Sequence, residues 1–342
     1  MPVSVGLVGF GYAARILHRP LIEACGMRIA GVVSGHPEQV RAVLPAIPVL
    51  PDVESLLELP GLDIVVIATP NDLHEPQAMT ALAAGKIVLV DKPLAPSSAA
   101  IDRLMQAASR SGGLLSAFHN RRWDSDFLTV RKLLDSGVLG AVHTYEARWN
   151  RYRPEVSDRW REQLSRGGGV LNDLGPHLID QALLLFGTPE WVQADICCQR
   201  DGATVDDAFE LRLGIGKLRI ILGASCLSAD PGPRFWIHGQ LGSFCKRGLD
   251  VQEEQLKRGE SPLDPTFGCE PDSQCGSLTL GNSVAVNLVA NEPGRWLEFY
   301  ARLRECAQSR TPPPVLPGQA REGMRIIEAA RQSSESGRRV PL

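Results

Sequence analysis

A chain of 342 residues exceeds what one hydrophobic core usually serves, so its length predicts two domains, each large enough to fold alone. Apolar residues make up 44% and charged residues 22%, which excludes disordered, collagen-like and coiled-coil chains. The formal net charge of −3 comes from interspersed acids and bases; no basic block is present to neutralise a phosphate backbone, so nucleic acid is not an expected partner.

Residues 1–118 alternate short β-branched runs with amphipathic stretches, the pattern of a parallel sheet covered by helices. Val3 to Val8, Met27 to Ser34, Asp63 to Ala68, Ile87 to Val90 and Leu114 to Phe118 read as strands. Ala13 to Ala24, Asp52 to Leu59, Glu75 to Ala84 and Ser97 to Ser111 read as helices, several closed by glycine. Five to six parallel strands are predicted. Beyond residue 120 the pattern changes: a helix over Ser125 to Ser136 is followed by longer strands, Val142 to Trp149, Trp191 to Cys198, Phe209 to Leu213 and Leu218 to Ala224, with few crossovers. That spacing predicts a largely antiparallel sheet. Arg247 to Ser277 is polar and rich in Gly and Pro, and reads as loop with one short helix. Helices over Trp296 to Ser309 and Gln319 to Ser333 close the chain. The expected division is a Rossmann domain at 1–120 and an α+β domain for substrate binding and oligomerisation at 121–342.

The start of the chain lacks the charged and apolar regions of a signal peptide, and no apolar run approaches the length of a membrane span, so a cytoplasmic protein without membrane attachment is expected. The eight cysteines form no Cys-x-x-Cys pair, which predicts reduced thiols, and no spaced histidines complete a zinc site, so no metal is expected.

Gly9-Phe10-Gly11-Tyr12-Ala13-Ala14 follows an apolar strand and opens a helix. In that context Gly9 permits the tight turn, Gly11 lets the backbone approach a pyrophosphate, and Ala14 allows close helix packing, so a dinucleotide is the expected ligand. An isolated motif of this kind is also found in ordinary glycine loops. The second strand ends at Val33-Ser34-Gly35-His36 without the carboxylate that NAD sites usually offer to ribose hydroxyls. Ser34 and Arg41 suit a 2′-phosphate, so NADP is expected ahead of NAD.

Three motifs lie where strands of such a sheet end. Thr69-Pro70-Asn71-Asp72-Leu73-His74 places Asn71 and His74 over the carboxyl edge beside the cofactor, or His74 is an ordinary residue at a helix start. In Asp91-Lys92-Pro93, Lys92 emerges from a buried strand; directed inward it stabilises charge on a substrate oxygen, directed outward it is a snorkelling surface lysine. Gly167 to Asp180 carries Asp173 and His177 four residues apart, hence on one helix face, and Pro176 implies the first helical turn. His177 suits proton exchange near neutrality with Asp173 orienting it, or the two form a structural pair. Asp180 ranks behind them as a helix-face residue. Asn120 follows the last strand of the first domain, where its amide can bridge cofactor and substrate. Trp160 offers a face to a sugar or nicotinamide; Arg151, Arg153 and Arg161 are donors to hydroxyls or a solvated charged loop.

Together these residues resemble the Gfo/Idh/MocA oxidoreductases over nearly the whole chain. Gly9 to Ala14, Thr69 to His74, Asp91-Lys92-Pro93 and Gly167 to Asp180 match the family's motifs, with Asp91 where a glutamate is more frequent. The resemblance implies a Rossmann domain followed by an α/β domain whose open sheet often makes dimers or tetramers, and a catalytic trio falling on Lys92, Asp173 and His177. Phe118 to Phe127 and Arg151 to Arg161 are similar to the subgroup with NADP-linked scyllo-inositol dehydrogenases, which implies an inositol or sugar substrate. Two other classes were weighed: a protein that senses cofactor or sugar without turning it over, and a glycosidase that retains NAD for redox-neutral cleavage.

Overall fold

The computed structural model describes residues 2–281, 283 and 285–342. Among the described residues the chain forms two compact units. The first comprises residues 1–120 together with 252–267 and 295–321; the second comprises 121–251, 268–294 and 322–342.

The first unit is built on six parallel strands, β1 (Ser4–Val8), β2 (Arg28–Val33), β3 (Val49–Leu50), β4 (Ile64–Ile67), β5 (Ile87–Val90) and β6 (Leu114–Ala117), ordered β3-β2-β1-β4-β5-β6. β4 and β5 are continuous β-branched and leucine runs with every residue buried, as strands covered by helices on both faces must be. This order has its switch point between β1 and β4, where a doubly wound sheet opens a crevice at the carboxyl ends of its strands. Side-chain caps fix the covering helices: Asp52 accepts the Ser55 N–H at 2.8 Å and Ser97 accepts that of Ala100 at 3.1 Å, while Gly112 closes the helix Ser98–Ser111 in the left-handed conformation. The stretch predicted as one helix from Ala13 to Ala24 is a π-helical turn, Ala13–His18, running into an α-helix, Arg19–Ala24. The helix Pro37–Val43 and the short strand β3 add to the predicted elements.

Segments far along the chain complete this unit. Ser116 Oγ on β6 donates to the Val315 carbonyl at 3.0 Å, and Arg304 donates to the Cys25 carbonyl at 2.7 Å. A short helix, Gln252–Lys257, packs on the π-helical turn, with the Tyr12 hydroxyl donating to Glu253 at 2.7 Å.

In the second unit the strands are β7 (Val142–Arg148), β8 (Trp191–Cys197), β9 (Ala208–Ile215), β10 (Leu218–Ser225), β11 (Phe235–Gly239), β12 (Gly242–Lys246), β13 (Gly276–Leu280), β14 (Val286–Val289) and β15 (Val340–Pro341), ordered β14-β13-β12-β11-β7-β10-β9-β8-β15. All pairings among these described strands are antiparallel except β7 with β10. β11 and β12, with Trp236, His238, Ser243 and Cys245 on their less buried face, lie outside the predicted elements; Gly276 and Ser277, expected in loop, begin β13. The helix Val170–Phe186 packs on β9 and β10.

Candidate active site

At the carboxyl edge of the parallel sheet, the glycine turn has the shape that a dinucleotide requires. Gly9 has φ +90°, and a Cβ there would stand 2.7 Å from the Ala68 carbonyl oxygen, so the β1 turn tolerates neither a side chain nor its backbone preference. Its N–H donates to the Val33 carbonyl at 2.9 Å, tying the turn to β2. A Cβ on Gly11 would meet nothing within 4 Å, so the backbone there faces open space just before the helix start. Phe10 and Ala14 are buried while Tyr12 is exposed. Ser34, after β2, accepts the His36 N–H at 3.1 Å, and Arg41 lies exposed in the last turn of the next helix.

The connections after β4 and β5 are cross-tied. His74 is wholly buried, with Nδ1 2.8 Å from the Pro93 carbonyl and Nε2 2.9 Å from that of Thr69. Burial pushes its pKa down against the pull of both carbonyls and of Asp91, and a neutral ring donates to only one of them. His74 is therefore enclosed by the two loops and binds them to each other. Thr69 Oγ1 donates to Gln77 at 2.7 Å, Pro70 is half-buried, and Asn71 is buried beneath the same edge. Asp91 Oδ1 accepts the Lys92 backbone N–H at 2.9 Å. Lys92 is half-buried and precedes Pro93 through a cis peptide. Asn120 is buried, and its Nδ2 has no hydrogen-bond partner among the described residues. A buried amide donor in this state is costly unless a ligand or water accepts from it.

The second unit collects the other motif. Gly168 lets the backbone of Arg161 come close: a Cβ there would be 2.4 Å from the Arg161 carbonyl, which instead accepts the Gly169 N–H at 2.9 Å. Asn172 Nδ2 donates to the Gly167 and Gly168 carbonyls at 3.1 and 3.2 Å, fastening the helix Val170–Phe186 to the glycine run. Asp173 faces Arg151 Nη2 at 3.4 Å and Arg161 Nε at 3.3 Å. The Asp173 charge raises the pKa of Arg151 against the opposing effect of burial, which is the larger single influence. His177 is buried with the Trp149 ring 6.0 Å away and tilted by 33°. Guanidinium groups of Arg121 and Arg234 lie over Trp149 at 4.8 and 5.2 Å. Trp160 carries the Arg161 guanidinium over its ring at 4.5 Å.

Two sequence expectations need correcting here. Pro176 is the seventh residue of its helix and lies in the helix interior, so the motif does not sit at a helix start; only Asp173 occupies the first turn. The helix accommodates the proline by forgoing the N–H that would donate to the Asn172 carbonyl. Asp180 is no open helix-face residue: it is buried in a two-pronged pair with Arg122, Nε to Oδ2 at 2.8 Å and Nη2 to Oδ1 at 2.6 Å. Trp149 and Arg122 are neighbours of the motif that local pattern did not single out; the four-residue spacing of His177 and the run Arg121-Arg122-Trp123 were the only signals.

The residues present fit a nicotinamide dinucleotide: an open glycine backbone, a helix start for the pyrophosphate, and an unmatched buried amide at Asn120. Among the described residues no group of three His, Cys, Asp or Glu side chains is placed to hold a metal, and no helix is long and apolar enough to cross a membrane.

Residues 3–119 match the oxidoreductase family with an NAD-binding Rossmann fold, and residues 127–245 match the GFO/IDH/MocA C-terminal domain. Among similar proteins are the scyllo-inositol 2-dehydrogenase (NADP(+)) IolW of Bacillus subtilis, 37% identical over 99% of this chain and 96% of that protein, and the uncharacterized oxidoreductase YdgJ of Escherichia coli, 40% identical over 97% and 96%. The solved structure of yvaA from Bacillus subtilis superposes with a TM-score of 0.95 at 36% identity, covering 100% of this chain and 99% of that one. With both of its halves matched, the chain belongs to the Gfo/Idh/MocA family of NAD(P)-dependent oxidoreductases.

Proposed function

We propose that this protein is a dehydrogenase that oxidises a secondary alcohol of an inositol-like polyol or sugar reversibly, with NADP preferred over NAD. The observation that carries this reading is the near full-length similarity to an NADP-linked scyllo-inositol dehydrogenase, together with an intact set of Lys92, Asp173 and His177. When bound, the cofactor supplies the hydride acceptor at C4 of its nicotinamide.

His177 takes the proton of the substrate hydroxyl, and its enclosure against Trp149 holds the ring in one orientation. Asp173, clamped by Arg151 and Arg161 one turn earlier on the helix, keeps a negative charge beside that ring. Lys92 donates to the substrate oxygen and stabilises the charge that develops on it. The two arginines and Asn120 have donors to spare for further hydroxyls. Gly9 to Ala14 would hold the pyrophosphate, and Thr69, Pro70, Asn71 and Asp91 would supply further contacts to the cofactor, with Trp160 a candidate aromatic contact. The preference for NADP rests on Ser34 in place of a carboxylate, with Arg41 exposed in the next helix to pair a 2′-phosphate. We also propose a soluble cytoplasmic homo-oligomer, on the strength of the family likeness.

His177→Ala is expected to lower kcat by about a hundred- to ten-thousandfold while cofactor affinity persists. Turnover within a few-fold of the parent would remove His177 from the reaction.

A further inference from the structure

Three titratable side chains meet inside the first unit, directly behind Lys92, and the proposed reaction leaves two of them unassigned. His18, the last residue of the π-helical turn, is wholly buried, as is Tyr300 on the helix Trp296–Ser309. The Tyr300 hydroxyl makes a short contact with His18 Nδ1. The Phe118 ring covers the imidazole at 4.3 Å. On the other side of the ring, Nε2 faces Asp91 Oδ2 at 3.9 Å, while Asp91 Oδ1 accepts the Lys92 backbone N–H.

The polarity of this chain can be worked out. Burial, with the negative charge of Asp91 beside it and the Cys25 thiol nearby, pushes the Tyr300 phenol well above its ordinary pKa, so it stays protonated and is a donor. His18 Nδ1 is then the acceptor, which places the proton of a neutral ring on Nε2. Nε2 makes no hydrogen bond among the described residues, and the acceptor it faces is Asp91, at a separation that makes this an electrostatic contact. Every group has one role: the phenol donates to the imidazole, the imidazole N–H faces the carboxylate, and the carboxylate accepts from the Lys92 main-chain N–H.

We infer that Tyr300, His18 and Asp91 form a positioning array for Lys92, in which the phenol selects the imidazole tautomer, the imidazole proton holds the carboxylate, and the carboxylate fixes the backbone from which the lysine extends. The inference rests on the reading of Lys92 as the group that meets the substrate oxygen. The other titratable groups facing Asp91 are Lys92 and His74; Arg304 faces Cys25.

The test uses Tyr300→Phe, His18→Leu and His18→Gln. Tyr300→Phe removes one oxygen and keeps the ring packed between Phe118 and Phe299. His18→Gln restores an amide donor near the place of Nε2, and His18→Leu does not. Nitrogen NMR of the histidine-labelled protein, without cofactor, reads the tautomer; the Lys92 amide resonance reads its backbone; steady-state kinetics read the consequence. The parent is expected to carry a proton on His18 Nε2 while Nδ1 accepts from the phenol, and Tyr300→Phe to move that proton to Nδ1. His18→Leu is expected to shift the Lys92 amide and to lower kcat by roughly ten- to hundredfold with cofactor KM unchanged, and His18→Gln to recover most of both. The proposal is overturned if the parent carries its proton on Nδ1, if His18→Leu turns over like the parent, or if His18→Gln falls as far as His18→Leu, which marks mere loss of packing. The expected tautomer and Lys92 shifts in a parent that oxidises no polyol would support the array and overturn the dehydrogenase reading instead.

Discussion

Asp91 shows how a half-buried carboxylate is kept ionised at the end of β5. Burial alone raises its pKa, but the facing His18 imidazole, with Lys92 and His74, brings it down to about 2. Since an unfolded aspartate titrates near 3.9, the ionised form stabilises the fold above about pH 4, and that stabilisation is lost as pH falls toward 2. Asp91→Asn is therefore expected to flatten the acid limb of a stability-against-pH curve by about 2 kcal/mol, measured by urea unfolding. Parallel acid limbs for parent and variant would contradict the shift. Single residues were unequally legible in the sequence. Gly9 announced its conformation because only a glycine meets a strand-to-helix turn with φ +90°. His18 announced nothing: it reads as one position of an amphipathic helix, and its partner Tyr300 lies 282 residues away.

Elements with strong periodicity were legible, and those whose order depends on partners were not. β5 and the helix Trp296–Ser309 have the limits that the pattern predicts. β11 and β12 escaped because each has only five residues and no clean alternation of apolar and polar side chains, and they are held as strands by pairing with β7 and β13. The interior Pro176 misled because local rules treat proline as a helix start. β12 also ends in a buried ion pair that no pattern could reveal: Lys246 Nζ donates to Glu270 at 2.6 Å and to the Gln274 carbonyl at 3.0 Å, with both charged side chains sealed from solvent. Burial raises the Glu270 pKa against the pull of Lys246. Lys246→Ala strands that carboxylate and is expected to cost about 3–5 kcal/mol, whereas Lys246→Met combined with Glu270→Leu is expected to recover most of it. Urea unfolding of the two variants checks this; equal losses would mean that the pair matters for its volume and not its charge.

For the whole molecule, the sequence told of a parallel dinucleotide sheet followed by a largely antiparallel one, since motif order and strand spacing survive along the chain; the parallel pairing of β7 with β10 was not foreseen. It gave no sign that residues 252–267 and 295–321 rejoin the first unit, because return of a segment is decided by long-range packing and not by its own pattern. That return supplies Tyr300 to His18 and Glu253 to Tyr12, so the glycine-turn helix depends on the far end of the chain. We propose that these parts make a polyol dehydrogenase. The measurement that tests it most directly follows the near-ultraviolet absorbance of reduced nicotinamide as purified protein meets NADP or NAD and a panel of inositols, aldoses and sugar acids, with His177→Ala alongside. The account predicts substrate-dependent formation of reduced cofactor by the parent, a higher kcat/KM with NADP, and near silence from the variant. Cofactor binding without reduced cofactor from any alcohol on the panel would contradict it.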